Sequence, residues 1–393
     1  MRVLIVGGSL GGLNAAVWLS RAGHDVTVFE RSATLLEDRG AGIVLHPATV
    51  RPFGGSDPTV LRMLGVPLRR VQYLNAAGQL VATRPTSWWA TSYATLYRRL
   101  LQLIDASCYQ LDATCVGVMQ DEYRVKLRFA NGTEAEGDLV VFADGVSSFG
   151  RTVIAPGNTP QHAGYIAWRG VVPMCRLSPQ TRSLFEEAIT YVLLPTSHVV
   201  AYPVPDRDGR VEPAARLLNW LWYRSVSPEQ LDDLLLGRDG RRFALSVPTG
   251  FVAHEHIVRL HVDAQAMLPP PLAECVALTD EPFIDGIADV AVPRMVRGRC
   301  CLLGDAAFRP RPHVAAGTAK AAEDAFQLAQ SLQAHSVGLA QALDVWEQRQ
   351  RPLGQSVVER ARWAGALLQS GRWPLGALPP FGLARISDSA LPM

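Results

Sequence analysis

The chain has 393 residues, 48% of them hydrophobic and 19% charged, with 38 Lys and Arg against 36 Asp and Glu. A net charge of +2 and the lack of any basic block give nucleic acid or an acidic membrane little to hold, and no run of about 18 apolar residues offers a membrane span. The length exceeds the roughly 250–300 residues at which a single core stops growing, which points to two structural units.

Almost all the positive charge is arginine, the only lysines being Lys126 and Lys320. This reads as compositional bias rather than phosphate chemistry. The cysteines Cys108, Cys115, Cys175, Cys275, Cys300 and Cys301 form no C-x-x-C pair and no ligand-like spacing with histidine, so no metal site is expected. They suit small core residues in a reducing compartment. Strand residues begin at Arg2, leaving no room for a cleaved leader, and a cytoplasmic location is expected.

Arg2–Gly8 (RVLIVGG) is a short continuous apolar run, the pattern of a buried parallel strand. A helix over Ser9–Gly23 and a second strand over His24–Glu30 follow, giving a strand, tight turn, helix and strand within about thirty residues. The turn carries Gly7, Ser9, Leu10 and Gly12, with serine where the middle glycine normally stands. Serine is small and its hydroxyl can donate to a phosphate oxygen. Glu30, with Arg31 beside it, lies near the ribose-binding offset, so this segment predicts a bound nucleotide.

The small-residue loop Gly40–Pro47, which holds Gly42 and His46, reads as a connection. A short helix is expected at Asp57–Gly65, a hairpin over Val71–Thr83 turning at Ala76–Gly78, and a packing helix over Ser92–Ile104. Cys115–Gln120, Tyr123–Phe129 and Thr133–Glu136 form a meander, with Asn131–Gly132 as its hairpin signal. The strand in Asp138–Gly145 (DLVVFADG) brings Asp144 and Gly145 to its carboxyl end, and SSFGR begins a helix.

From Tyr165 to about Asp280 the segments Gly164–Val172, Ile189–Pro205 and Ala215–Val226 alternate and are rich in aromatics. They suit an antiparallel, half-covered sheet roofing a small-molecule pocket. Alternation puts His198, Val200 and Tyr202 on one face, and Asn219, Leu221 and Tyr223 on one face with Trp220 and Trp222 opposite. It leaves open which face meets the pocket. Pro269–Pro271 reads as a hinge-like break, after which PFIDGIADV and the Cys300 strand return to the first unit.

In Gly304–Gly317 (GDAAFRPRPHVAAG), Asp305 emerges at a strand's carboxyl end, where doubly wound sheets bind ligands. The helix opening near Gly317 aims its free N–H groups back at that crevice. A terminal helix spans Trp346 to about Gln369, and Gly371–Met393 reads as a loosely held tail. The nucleotide-binding unit is thus discontinuous, over residues 1–70, 93–160 and 283–370. A sheet domain occupies 71–92 and 161–282, and the tail 371–393.

Together, three of these motifs resemble the single-component FAD-dependent aromatic hydroxylases, the group built like para-hydroxybenzoate hydroxylase. The glycine turn with Glu30 is similar to their ADP-binding fingerprint. ADGVSSFGR is similar to their Asp-Gly motif at Asp144, Gly145, Ser148 and Arg151, and LGDAAFRPRPHVAAG to their Gly-Asp motif. The resemblance covers Arg2 to about Trp363. It is strongest to members that act on hydroxylated pyridines, through AGYIAWRGV, the AYP and NWLWY strands, and RPHVAAGTAKAAEDA.

The resemblance implies an α/β fold, with a Rossmann-like, glutathione-reductase-type FAD domain, an inserted antiparallel β-sheet substrate domain and a C-terminal helix. It implies FAD held by Gly7, Ser9, Leu10, Gly12, Glu30, Arg31, Gly42, Asp144, Gly145, Gly304, Asp305, Pro312, Ala315, Ala316 and Gly317. In this likeness Asp305 meets the ribityl chain and Pro312 approaches the isoalloxazine. NAD(P)H, for which the sequence shows no second nucleotide-binding βαβ unit, would reduce the flavin from a surface groove. Oxygen would add at C4a, and the resulting C4a-hydroperoxyflavin would hydroxylate a small activated aromatic or N-heteroaromatic ring. A homodimer is also implied.

The ring's hydroxyl must lose a proton for electrophilic attack, so a base or relay is expected from His313, Pro312's neighbour, or from His46, His198, Tyr202 or Tyr223. The chain departs from the family at Phe308, where many members have histidine, and at Tyr93, in place of a flavin-contacting arginine. It departs again at Ala315–Ala316–Gly317, in place of Gly-Gln-Gly. Alternatives are a same-fold reductase, epoxidase or halogenase, or a non-catalytic flavin- or ligand-binding protein. A halogenase would need a lysine over the ring.

Overall fold

Arg2–Val6 is a central strand of a six-stranded sheet and is buried from Val3 onward. It pairs in parallel with Asp25–Phe29 on one side and Leu139–Phe142 on the other, and the latter pairs in parallel with Cys300–Leu302. All are continuous apolar runs, as strands covered on both faces must be. The computed structural model describes residues 1–37, 42–334 and 338–383.

One face of this sheet is covered by the helices Leu10–Arg21 and Gly317–Ala334, which pack together and bring Trp18 edge-on to Phe326. The other face carries the expected meander, Cys115–Gln120, Val125–Phe129 and Glu134–Gly137, whose Phe129 ring meets Phe29. Successive connections leave Arg2–Val6 on opposite sides, so the carboxyl ends of three parallel strands open onto one crevice.

The second, ten-stranded sheet is mostly antiparallel. Ile189–Pro205 is not one strand but two, Ala188–Leu194 and Ser197–Val204, folded back at Pro195–Thr196. Gly42–Val44, read as part of a connection, pairs with Ser92, Thr91 and Ala90 at the sheet's edge; Gly40 and Ala41 lie outside the described residues. Phe283–Ala291 pairs with Gln161–Pro173 and so belongs to this sheet, and the return to the parallel sheet begins at Val296–Arg297.

Both faces of the large sheet are covered, not one. Trp168, Trp220 and Trp222 pack under the helices His254–Met267 and Pro270–Ala277. Tyr165, Tyr191, Tyr202 and Tyr223 point the other way, toward the terminal helix Leu339–Gln369 and the crevice. Pro269–Pro271 is therefore no hinge between units. Pro269 stands at the N-cap and Pro270 at the first position of a helix of the same outer layer, where proline's fixed φ suits the first turn.

The described part of the tail is not loose. Trp373 is buried and donates through Nε1 to the Tyr73 hydroxyl (3.0 Å), which donates to the Ala377 carbonyl (2.5 Å). The Gly382 N–H donates to the Val314 carbonyl (3.0 Å). Burying a tryptophan contributes about 3 kcal/mol or more, enough to offset the ordering of two or three residues.

Candidate active site

The turn after Arg2–Val6 is built on close backbone approach. Gly7 has φ +102°, and a Cβ there would lie 2.4 Å from the Ala143 carbonyl oxygen; one on Gly12 would lie 1.8 Å from the Gly7 oxygen. No larger residue fits either place. Ser9 needs no glycine, and its Oγ lies 2.8 Å from the Tyr93 hydroxyl. Leu10 then opens the helix, leaving the first N–H groups directed at the crevice.

Glu30 is buried, with Oε2 accepting the Gly8 N–H (2.8 Å) and Oε1 the Ser32 N–H (2.9 Å). It therefore braces the glycine turn as well as facing the cavity, where Arg31 is exposed beside it. Asp144 Oδ2 accepts the Gly150 N–H (3.1 Å), while its buried Oδ1 has no partner in the chain. Burial pushes this carboxyl above its ordinary pKa. Glu30, Arg31, Asp144 and Gly145 line one cavity of about 390 Å³.

A second cavity of about 390 Å³ shares Ser9, Tyr93, Ala143 and Gly145 with the first, so the two form one bent trough. Asp305, Gly304, Pro312, Ala315, Ala316 and Gly317 lie on its wall. Arg151 ties the two acid motifs together, donating to the Ala306 carbonyl (3.2 Å). Gly304, at φ +60°, donates its N–H to Asp324 Oδ2 (3.1 Å), and Asp324 pairs with Lys320, both side chains fully buried. Lys320 Nζ also lies 5.2 Å from the centre of the Phe308 ring, so the residue that departs from the family pattern packs on a buried cation.

Ala315 adopts the left-handed conformation, φ +47°, at a position where the family prefers glycine. Its carbonyl accepts a hydrogen bond from His46 Nε2 (2.8 Å). Burial lowers the His46 pKa, against the raising effect of that carbonyl.

The trough's far end is roofed by Tyr191, Tyr202, Leu221 and Tyr223. Gly42 must be glycine here, because a Cβ would lie 2.5 Å from the Tyr202 ring; its N–H donates to Asn219 Oδ1 (3.1 Å). His313 reaches the same cavity, with Nε2 2.8 Å from the Tyr165 hydroxyl and its ring centre 4.7 Å from that of Tyr223. His198 sits one layer back, stacked on Tyr223 (4.4 Å) and bonded through Nδ1 to Gln369 Oε1 (2.8 Å). Burial holds His313 well below its ordinary pKa, drops His198 to about 3 and pushes Tyr202 up to about 12.

The three arginines on this wall are all ion-paired. Arg169 and Arg309 meet Asp285 at 3.4 and 3.0 Å, and Arg311 meets Asp289 at 2.9 Å. Arg311 is thus half-buried and ion-paired. Asp289 also meets Arg362 at the surface (2.9 Å).

Most of the expected site residues thus line one trough; Gly12 packs beneath its glycine turn, and His46 and His198 sit behind its wall. Tyr165, Tyr191, Arg169 and Arg309 escape the sequence reading. Only the alternation of their strands hinted at them, and it does not say what lies opposite. The trough fits an extended dinucleotide: it offers backbone donors at a helix N-terminus, an unpartnered buried carboxylate oxygen, and left-handed turns that keep side chains out of the way.

Residues 2–46 match the pyridine nucleotide-disulphide oxidoreductase family, 162–289 an FAD binding domain-like family and 284–361 an FAD binding domain family. The chain is 35% identical over 398 residues to 2,6-dihydroxypyridine 3-monooxygenase of Paenarthrobacter nicotinovorans, covering 99% of this chain and 98% of that one. It is 29% identical to the 3-amino-4-hydroxybenzoate 2-monooxygenase PtnB3 of Streptomyces platensis, covering 93% and 87%. Among solved structures, 2,6-dihydroxypyridine-3-hydroxylase from Arthrobacter nicotinovorans superposes with a TM-score of 0.90 at 35% identity, covering 100% and 97%. The chain therefore belongs to the FAD-dependent aromatic hydroxylases, a family of flavoprotein monooxygenases. Among its described residues, no helix is long and apolar enough to cross a membrane.

Proposed function

We propose that this enzyme uses NAD(P)H and O2 to hydroxylate a small, electron-rich N-heteroaromatic ring that carries hydroxyl groups and no carboxylate. The observation that carries this reading is the charge state of the wall. Arg169 and Arg309 share Asp285, Arg311 shares Asp289 with Arg362, and the roof above them is aromatic, aliphatic or neutral imidazole. A carboxylate entering there would be desolvated and would have to compete with these aspartates for a guanidinium. The likeness to a dihydroxypyridine monooxygenase supports the same class.

When bound, FAD supplies the activated oxygen and takes up the hydride from NAD(P)H. In this reading the turn at Gly7, Ser9, Leu10 and Gly12 cradles the pyrophosphate, with Glu30 and Arg31 toward the ribose. Asp144, Gly145, Gly304 and Asp305 hold the middle of the cofactor. Gly42, Pro312, Ala315, Ala316 and Gly317 meet its ring, where the helix N-terminus favours negative charge by about 1 kcal/mol.

Tyr202 and Tyr223 bracket the substrate. Burial keeps His313 neutral, so with Nε2 donating to the Tyr165 oxygen its other ring nitrogen can accept the ring hydroxyl's proton. Burial also disfavours storing that charge, so His313 holds the proton only transiently, braced by the Tyr165 hydroxyl, and returns it to the ring's oxygen after oxygen transfer. The Arg311 guanidinium, 5.6 Å from the Tyr165 ring, donates only and takes no proton. His46 orients the turn through Ala315.

Neither lysine suits a halogenase. Lys126 pairs with Glu134 on the outer meander, and Lys320 is buried against Asp324. The reading includes a homodimer and a cytoplasmic location, the latter supported by six free cysteines. The test is NAD(P)H oxidation by the FAD-loaded protein with hydroxylated pyridines and with their carboxylated counterparts. Only the former should stimulate turnover; equal stimulation by the carboxylated rings would overturn the proposed class.

A further inference from the structure

The segment after the terminal helix forms one side of the catalytic trough. Phe381 lines the same cavity as Tyr202 and His313, half-buried, with its ring centre 4.7 Å from that of Trp88 on the strand Leu80–Ser92. The segment is anchored on both sides of that ring. Trp373 and Ala377 are bonded through the Tyr73 hydroxyl, and the backbone of Gly382 donates to Val314 and accepts from the buried Arg360. Gly382, at φ +95°, lies so close to His46 that a Cβ would stand 3.4 Å from His46 Nδ1.

These contacts converge on the turn Pro312–Val314, which bears His313. Its Val314 carbonyl is held by Gly382 (3.0 Å), and the next carbonyl, on Ala315, by His46 (2.8 Å). Two residues that touch each other thus pin adjacent carbonyls of the turn. One belongs to the loop after Gly42–Val44 and the other to the carboxyl-terminal strap.

We infer that the strap Trp373–Gly382 determines which rings the enzyme accepts: Phe381 sets the room available to substituents, and Gly382 positions the turn that presents His313. This rests on the aromatic-hydroxylase reading and deepens it. A wall residue carried on a strap, outside both sheets, can change without altering the strands that build the roof, and loops on a rigid scaffold are where binding specificity tends to reside. The strap's own anchors, Trp373 and Gly382, keep Phe381 in place at little cost in chain entropy, because both ends are tied.

The test uses the full-length, FAD-loaded enzyme and its Phe381→Ala and Phe381→Trp variants. The probes are a hydroxylated pyridine that the wild type turns over and the same ring bearing an ethyl group. The quantity read is the ratio of kcat/KM for the larger ring to that for the smaller, which a change in the fraction folded does not move. Phe381→Ala should raise this ratio by about tenfold or more, the discrimination a few methylenes carry in an apolar pocket, and Phe381→Trp should lower it. Phe381→Leu gives the same reading in a milder form should the alanine variant not fold. Ratios that stay within about twofold of wild type in all the variants that fold would overturn the role of Phe381. If the wild type turns over no ring at all, the hydroxylase reading falls first and this inference falls with it.

Discussion

His313 Nε2 and the Tyr165 hydroxyl lie 2.8 Å apart although 148 residues separate them in the chain. The contact joins the turn that follows the Gly-Asp motif to the first long strand of the roof, so cofactor wall and substrate wall share a hydrogen bond. If the pair moves the ring's proton as a unit, His313→Ala should keep its FAD and lose about 10²–10⁴-fold in kcat/KM. Tyr165→Phe should lose less, and the double variant should be no worse than His313→Ala alone. Steady-state kinetics alongside flavin content measure this; full additivity would separate the two residues.

Buried neutral histidines make the fold acid-sensitive. His198 is held at about 3 and His313 well below 6.5, both by burial. Below about 6.5 the unfolded chain binds protons at these sites that the native chain does not, so stability rises with pH up to that point. Stability should be complete above about pH 6.5 and fall as the pH drops toward 3, by at most about 1.4 kcal/mol per pH unit for each histidine. Denaturant titrations across this range should show a shallower slope for His198→Gln; an unchanged slope would remove His198 from the account.

Lys320 and Asp324 are completely buried, and Asp324 also holds the Gly304 N–H. Lys320→Met leaves a buried carboxyl without its cation, at an expected cost of about 3–5 kcal/mol in the unfolding free energy. Adding Asp324→Asn should recover part of that loss, since the uncompensated charge is gone while an amide oxygen can still accept from Gly304. Equilibrium unfolding of the two variants in guanidinium measures both effects.

Cofactor retention separates the two arms of the trough. Asp305→Ala should give pale, weakly flavinylated protein that is otherwise folded. In Gly7→Ala the added carbon meets the Ala143 carbonyl oxygen at 2.4 Å in a backbone conformation alanine avoids, so both flavin and stability should suffer. Visible absorbance per chain and thermal melting distinguish them. Normal flavin occupancy in Asp305→Ala would count against its role.

Three acidic strand ends were legible in the sequence because each is a local event: an apolar run, then an acid, then glycine or a helix start. Their arrangement around one trough follows from parallel pairing. Strand alternation grouped Tyr202 with His198 and Tyr223 with Asn219. It could not tell the pocket face from the covered face, since that is decided by helices His254–Met267 and Pro270–Ala277 packing on the tryptophans. Pro269–Pro271 misled because proline suits a helix start as well as a domain break. The tail misled because Trp373 finds its partner at Tyr73, 300 residues away, and composition carries no trace of such a contact. The ion pairs that hold Arg169, Arg309 and Arg311 are hidden for the same reason.

The most direct measurement is ring-stimulated NAD(P)H oxidation by the FAD-loaded enzyme under isotopically labelled O2, with a dihydroxypyridine as substrate. One labelled oxygen in the hydroxylated product for each NAD(P)H consumed is the predicted result. Hydrogen peroxide in step with NAD(P)H, and every ring recovered unchanged, would contradict it.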